Sequence, residues 1–169
     1  FASDAGFADN FGYSVATTNT SVAGASPFDD DNGSTSGSIY VYDVATGAER
    51  FKVVPSDTRA DDFFGGALAM DDNVIAVGAP FQDQPDGSTG AVYLIDTQSG
   101  AQLDKLTLPD TSLLGFAVAM DGPLIAVGAN AAAFIFDRDT GTLLAHLMPS
   151  DPQAEQFFGA SIDITGRTI

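Results

Sequence analysis

The chain has 169 residues, enough for one domain with a real core. Hydrophobic residues make up 44%, which excludes a disordered acidic tail, and no apolar run nears the roughly 20 residues that span a bilayer. With 23 acidic against 6 basic residues, a formal net charge of −17, the surface repels phosphates and anionic lipid. Nucleic acid and direct membrane insertion are therefore excluded as modes of action. Cations, basic protein patches or a high-salt habitat are favoured. The absence of cysteine removes disulfides and thiolate chemistry and leaves the compartment open.

Taken in chain order, the predicted elements repeat. A first unit runs Phe11-Gly12-Tyr13-Ser14-Val15-Ala16, Val22-Ala23-Gly24-Ala25-Ser26-Pro27, Gly37-Ser38-Ile39-Tyr40-Val41-Tyr42-Asp43, Thr46-Gly47, then Phe51 to Val54. A second begins at Phe64-Gly65 and continues through Val77-Gly78-Ala79-Pro80, Gly90-Ala91-Val92-Tyr93 and Ser99-Gly100 to Pro109-Asp110. A third shows Leu114-Gly115, Val127-Gly128-Ala129-Asn130, Phe134-Ile135-Phe136-Asp137 and Thr140-Gly141, and a fourth opens at Phe158-Gly159-Ala160-Ser161. The period of about 44 to 53 residues, with four short strand-like runs A to D per unit, is that of a propeller blade. A β-sandwich is the weaker alternative, since four aligned motifs recur in order.

The expected fold is thus all-β: a β-propeller of four-stranded antiparallel blades, three full blades and part of a fourth. Residues 1–10 form a linker from a preceding blade, 11–57, 58–110 and 111–151 are blades one to three, and 152–169 start the fourth. Strands A, B and C are near-continuous apolar runs, expected to be buried on both faces, and strand D alternates as an outer strand should. Strand A is rich in small residues, as fits the crowded axis. The Thr-Gly and Ser-Gly pairs after strand C predict hairpin turns. Three and a third repeats do not close a ring, so the expectation is a fragment of a longer propeller.

Phe64-Gly65, Val77-Gly78-Ala79-Pro80 and Gly90-Ala91-Val92-Tyr93 together resemble the FG-GAP family, the repeats of the integrin α-subunit head and of many bacterial surface proteins. The resemblance covers essentially the whole chain. It implies a propeller, usually seven-bladed, in an extracellular or cell-surface protein that binds ligands or partners. It also implies a structural role for the motif: an aromatic wedged between blades and a glycine where backbones come close. Calcium-binding members carry an Asp-rich loop between strands A and B. Here those connections are short, as at Asp71-Asp72-Asn73 and Asp121-Gly122-Pro123, so the family's calcium sites do not carry over.

In such a topology the B–C loops and D-to-A connections share one face, which takes 13 acids against Arg59 alone. The densest run is Phe28-Asp29-Asp30-Asp31-Asn32-Gly33, echoed by Phe81-Gln82-Asp83-Gln84-Pro85-Asp86-Gly87. Carboxylates crowded on a glycine-containing turn are what Ca²⁺ requires, so Asp29, Asp30, Asp31 and Asn32, with Asp83 and Asp86, are the candidate metal ligands. The alternative for them is a solvated acidic loop.

No catalytic residue is assigned. His146 is the only histidine and its neighbours read as blade wall. Asp43 to Gly47 and Asp137 to Gly141 resemble the D-x-x-T-G core of quinoprotein dehydrogenase repeats but lack the tryptophan that follows it there, so they read as C–D hairpins. Asn19 and Asn32 head glycosylation sequons. The functional expectation is a non-catalytic binding or scaffold propeller, extracellular or at the cell surface. It would act in adhesion or assembly through its acidic loops on proteins, glycans or copies of itself. The alternative is a propeller enzyme, hydrolase or quinoprotein, with its active site in other blades.

Overall fold

The computed structural model describes residues 2–4, 6, 8–151 and 158–166. They build three four-stranded antiparallel sheets and no helix. Blade one holds β1 (Val15–Thr17), β2 (Ser21–Ser26), β3 (Ser38–Asp43) and β4 (Glu49–Val53). Blade two holds β5 (Ala67–Asp71), β6 (Val74–Asp83), β7 (Thr89–Asp96) and β8 (Gln102–Leu106). Blade three holds β9 (Ala117–Asp121), β10 (Leu124–Ala129), β11 (Ala132–Asp137) and β12 (Leu143–Leu147). Each sheet is a simple meander in chain order, as the repeat predicts for a propeller. Phe158 to Gly166 carry no strand, and Glu155 and the last three residues lie outside the described residues.

The core lies between the sheets. One cluster joins Ala23, Ile39 and Val41 of blade one to Ile75, Val77 and Tyr93 of blade two, with Phe64 at its centre and fully buried. A second joins Leu94 and Leu106 of blade two to Leu114, Val127, Phe134 and Phe136 of blade three. Phe64 meets the Tyr93 ring edge-on at 5.2 Å. The first motif residue is therefore the interblade wedge its sequence suggested.

The motif glycines make the joint. A Cβ on Gly78 would collide with the Gly115 carbonyl of blade three, and one on Gly128 with the carbonyl of Gly159. The Gly115 amide donates to the Gly128 carbonyl at 3.0 Å, as Gly65 does to Gly78. The backbone entering each of these blades thus bonds to its own strand B, while at Gly115 and Gly159 it packs on strand B of the blade before, where only glycine leaves the space.

Two local expectations change. Strand A is not buried on both faces: every residue of β5 is half-buried and Val15 is 66% exposed. Innermost strands face the axis and pair on one side only, so burial concentrates on strands B and C. In blade two, Phe81, Gln82 and Asp83 were expected in a loop but extend β6, with an irregularity between Ala79 and Asp83 and a pairing of Asp83 with Thr89. After each strand C an aspartate closes the hairpin. Asp43 Oδ1 accepts from the Thr46 amide and hydroxyl, and Asp96 with Ser99 and Asp137 with Thr140 repeat the device.

Candidate binding face

Antiparallel meanders bring the start of strand A, the B–C connection and the end of strand D to one end of every blade. On that end four aromatic rings form a shelf across blades one and two. Tyr13 meets Phe28 at 6.1 Å and Phe63 at 5.5 Å, Phe28 meets Phe63 at 5.1 Å, and Phe63 meets Phe81 at 5.8 Å, all edge to face. Tyr13 and Phe81 are 53% and 46% exposed. Asp30, Asp31, Asp61, Asp83 and Asp86, which neighbour these rings in the chain, are exposed as well.

The candidate metal ligands divide. Asp29 is buried, and its Oδ2 accepts from the Ser38 hydroxyl at 2.9 Å and the Tyr40 hydroxyl at 3.2 Å. The ammonium of Lys52, reaching up from β4, stands 2.9 Å from Asp29, 2.7 Å from Asp31 and 2.8 Å from Asp4. A cation of the chain's own thus holds the densest acidic cluster together. Asp30 lies outside it and accepts from the Thr35 amide at 2.9 Å. Asn32 turns away, donating through Nδ2 to the Pro55 carbonyl and the Thr58 hydroxyl. Asp86 accepts from the Ser88 amide at 3.0 Å, and Asp83 ends β6. Among the described residues no group of three acidic or histidine side chains is arranged to hold a metal ion, and the three carboxylates that do gather, Asp4, Asp29 and Asp31, gather on the Lys52 ammonium.

Electrostatics follows from this arrangement. Burial disfavours the Asp29 charge, yet Lys52, the Asp31 amide and Ser38 outweigh it and hold the carboxyl below its usual range. Lys52 likewise holds Asp4 down, helped by Tyr40. Burial opposes the Lys52 charge too, but hydrogen bonds to Asp31, Asp4 and Asp29 win and push its pKa up. Burial raises the Tyr40 phenol, and the Asp4 carboxylate adds to it.

The cluster has a sister that sequence reading missed. Asp57, Tyr93 and Lys105 recur in blade two at the same intervals as Asp4, Tyr40 and Lys52. The Tyr93 hydroxyl donates to Asp57 Oδ1 at 2.9 Å, and Lys105 reaches Asp57 Oδ2 at 2.6 Å. Each ammonium also sits over its tyrosine ring, at 5.3 and 5.0 Å. Each triad ties the linker entering a blade to strands C and D of that blade. In blade three the register places Phe134 and His146 where Tyr93 and Lys105 stand, and the two rings stack at 4.5 Å. The signal was available as an aspartate, tyrosine and lysine recurring in step.

A model of the FG-GAP repeat matches residues 1–42 and 48–95. No curated protein matches the chain. Among solved structures it is similar to the WD40 repeats of RRP9 (TM-score 0.62, 12% identity, 86% of this chain and 40% of that one). It is also similar to U3-55K (TM-score 0.61, 12% identity, 86% and 41%) and to a chain of a mitotic checkpoint complex (0.56, 18%, 79% and 37%). At such identities these likenesses speak for the fold alone, and the chain spans about two fifths of the length of each. With the family model over more than half of its residues and three meander blades joined at the motif glycines, the chain belongs to the FG-GAP repeat family and folds as part of a β-propeller.

Proposed function

We propose that the chain is a non-catalytic binding or scaffolding module of a cell-surface or secreted protein, working in adhesion or extracellular assembly through its loop-bearing face. The observation that carries this is the aromatic shelf, open to solvent at Tyr13 and Phe81 and bordered by exposed acids. Exposed aromatics beside a polar rim are what interaction surfaces use. The family occurs typically in extracellular proteins, and among the described residues no helix is long and apolar enough to cross a membrane. The test is adhesion of beads coated with the chain to extracellular matrix protein and glycan surfaces. Replacing Tyr13 and Phe81 by serine, or Asp30, Asp61, Asp83 and Asp86 by asparagine, is expected to reduce capture at least fivefold. Loss of capture only on neutralising Asp72 and Asp121, at the other end of the blades, would assign the contact elsewhere.

Calcium belongs to the same reading as a competitor of Lys52 for Asp4, Asp29 and Asp31. Millimolar Ca²⁺ is then expected to raise the melting temperature of a Lys52→Met variant more than that of the wild type, with Asp31→Ala removing the difference. Equal responses would end the calcium reading.

A further inference from the structure

The two sister clusters on the loop-bearing face are closed to different degrees, and the difference traces to two residues. Where blade one has Asp29 and Asp31, blade two has Gln82 and Gln84 at the same intervals. In blade one both aspartates pair with Lys52, whose side chain is 15% exposed. In blade two, among the described residues, Lys105 forms an ion pair with Asp57 alone. Gln82 donates to the Tyr93 hydroxyl and to the Asp57 carbonyl, and Gln84 donates to Gln82 Oε1 at 3.1 Å. The result is an open cavity of about 580 Å³, lined among others by Arg59, Asp62, Gln82, Asp83, Gln84 and Lys105.

The chemistry of the lining selects by exclusion. Asp57, Asp62 and Asp83 repel an anion, while Arg59 and Lys105 in the same space repel a metal ion. Ala60 and Pro85 supply too little apolar wall for a hydrophobic ligand. What remains unused is hydrogen-bonding capacity of both signs. Among the described residues the Arg59 guanidinium and the Asp83 carboxylate have no ion-pair partner. Asp62 is fixed at the wall by the Arg59 amide at 2.8 Å, and burial pushes its carboxyl up. Groups that both donate and accept, carried by an uncharged molecule, match such a lining: these are hydroxyls on a compact ring.

We propose that this cavity of blade two is a binding site for a neutral polyhydroxylated ligand, a sugar ring, held by Arg59, Asp83 and the Gln84 amide, with Gln82 fixing Gln84 in place. The proposal rests on the reading of the loop-bearing face as a binding face and names what part of it takes. Blade one, with its two aspartates on lysine, is the closed counterpart and does not bind.

The experiment is titration of the whole chain with glucose, galactose, mannose, N-acetylglucosamine and inositol, followed by saturation-transfer NMR. At least one is expected to bind with a dissociation constant on the order of 1–10 mM, as for few hydrogen bonds on a small ligand. Arg59→Ala and Asp83→Ala each weaken it at least about tenfold, whereas Asp139→Ala, on the exposed C–D hairpin of blade three, leaves it unchanged. The double change Gln82→Asp with Gln84→Asp rebuilds the blade-one cluster around Lys105 and abolishes binding. No binding of any probe at 50 mM (about fivefold above the weak end of that range) overturns the site, as does binding that survives both alanine variants or is displaced by sulfate or Ca²⁺. Arg59 and Asp83 are exposed, so their removal leaves the core intact; should a variant still melt early, the wild-type titration decides alone. Because free sugars need no macromolecular partner, a negative titration with intact matrix adhesion sinks this site only, and the converse sinks the adhesion reading only.

Discussion

Lys52 and Lys105 occupy equivalent places, yet their surroundings give them different weight. The Lys52 side chain is 15% exposed and one partner, Asp29, is 4% exposed, so removing the ammonium leaves a buried carboxylate with its hydrogen bonds but without its counter-charge. Lys52→Met is expected to cost about 2–4 kcal/mol in denaturant unfolding, as breaking a buried pair does. The partner of Lys105, Asp57, is 48% exposed and keeps its bond from Tyr93, so Lys105→Met costs about 0.5–1 kcal/mol. Equal losses would show that burial does not set the difference. The pH dependence has the matching sign. Asp4, Asp29 and Asp57 are held below their usual range, so their contribution is present above the unfolded value of about 3.9 and is lost as pH falls through the folded values. The Lys52 variant should therefore show a flatter acid limb below about pH 4 than the wild type.

At the level of strands and joints, the glycines carry different loads according to what they touch. Gly78→Ala drives a methyl into the Gly115 carbonyl of the next blade, and relief requires the blades to part. About 2–3 kcal/mol of destabilisation is expected, by the cost of overpacking. Gly47, in the blade-one hairpin with φ 69°, has nothing within 4 Å of an added Cβ, so Gly47→Ala costs only the left-handed backbone penalty of about 1 kcal/mol. Thermal melts of the two variants rank them, and a larger loss at Gly47 would contradict the joint. These features were legible in the sequence because each is written in adjacent residues: Phe64-Gly65, Val77-Gly78-Ala79, Asp43 to Gly47. Strand order followed, since a meander needs only short turns. The Asp57–Tyr93–Lys105 triad escaped because it draws on three elements far apart in the chain, and only folding brings them together. Asp29 was read as a candidate metal ligand on an acidic loop, and it is buried because it finds hydroxyl donors that a local pattern does not show. The extension of β6 through Asp83 was hidden by turn-forming residues on both sides of it.

For the molecule as a whole, the question is whether its net charge of −17 or its ion-paired knots dominate the response to salt. The knots are few. Lys52 and Lys105 neutralise acids of the loop-bearing face, while Arg50 pairs with Asp43 at 2.6 Å and holds that carboxyl down to about 2, helped by Thr46. Exposed acids such as Asp30, Asp61, Asp83 and Asp86 are left to repel one another across the face. Such repulsion acts over a Debye length of about 30 Å at 10 mM salt and about 4 Å at 0.5 M, whereas close, partly buried pairs are screened far less. Raising sodium chloride between those limits is therefore expected to raise the melting temperature of the wild type. A variant with Asp30, Asp61, Asp83 and Asp86 changed to asparagine should start higher at low salt and gain less, because the repulsion that salt relieves has already been removed. A melting temperature that falls with salt would mean that Lys52 and its three carboxylates outweigh the field of the whole face. The adhesion surface would then be set by the knots rather than by the unpaired acids between them.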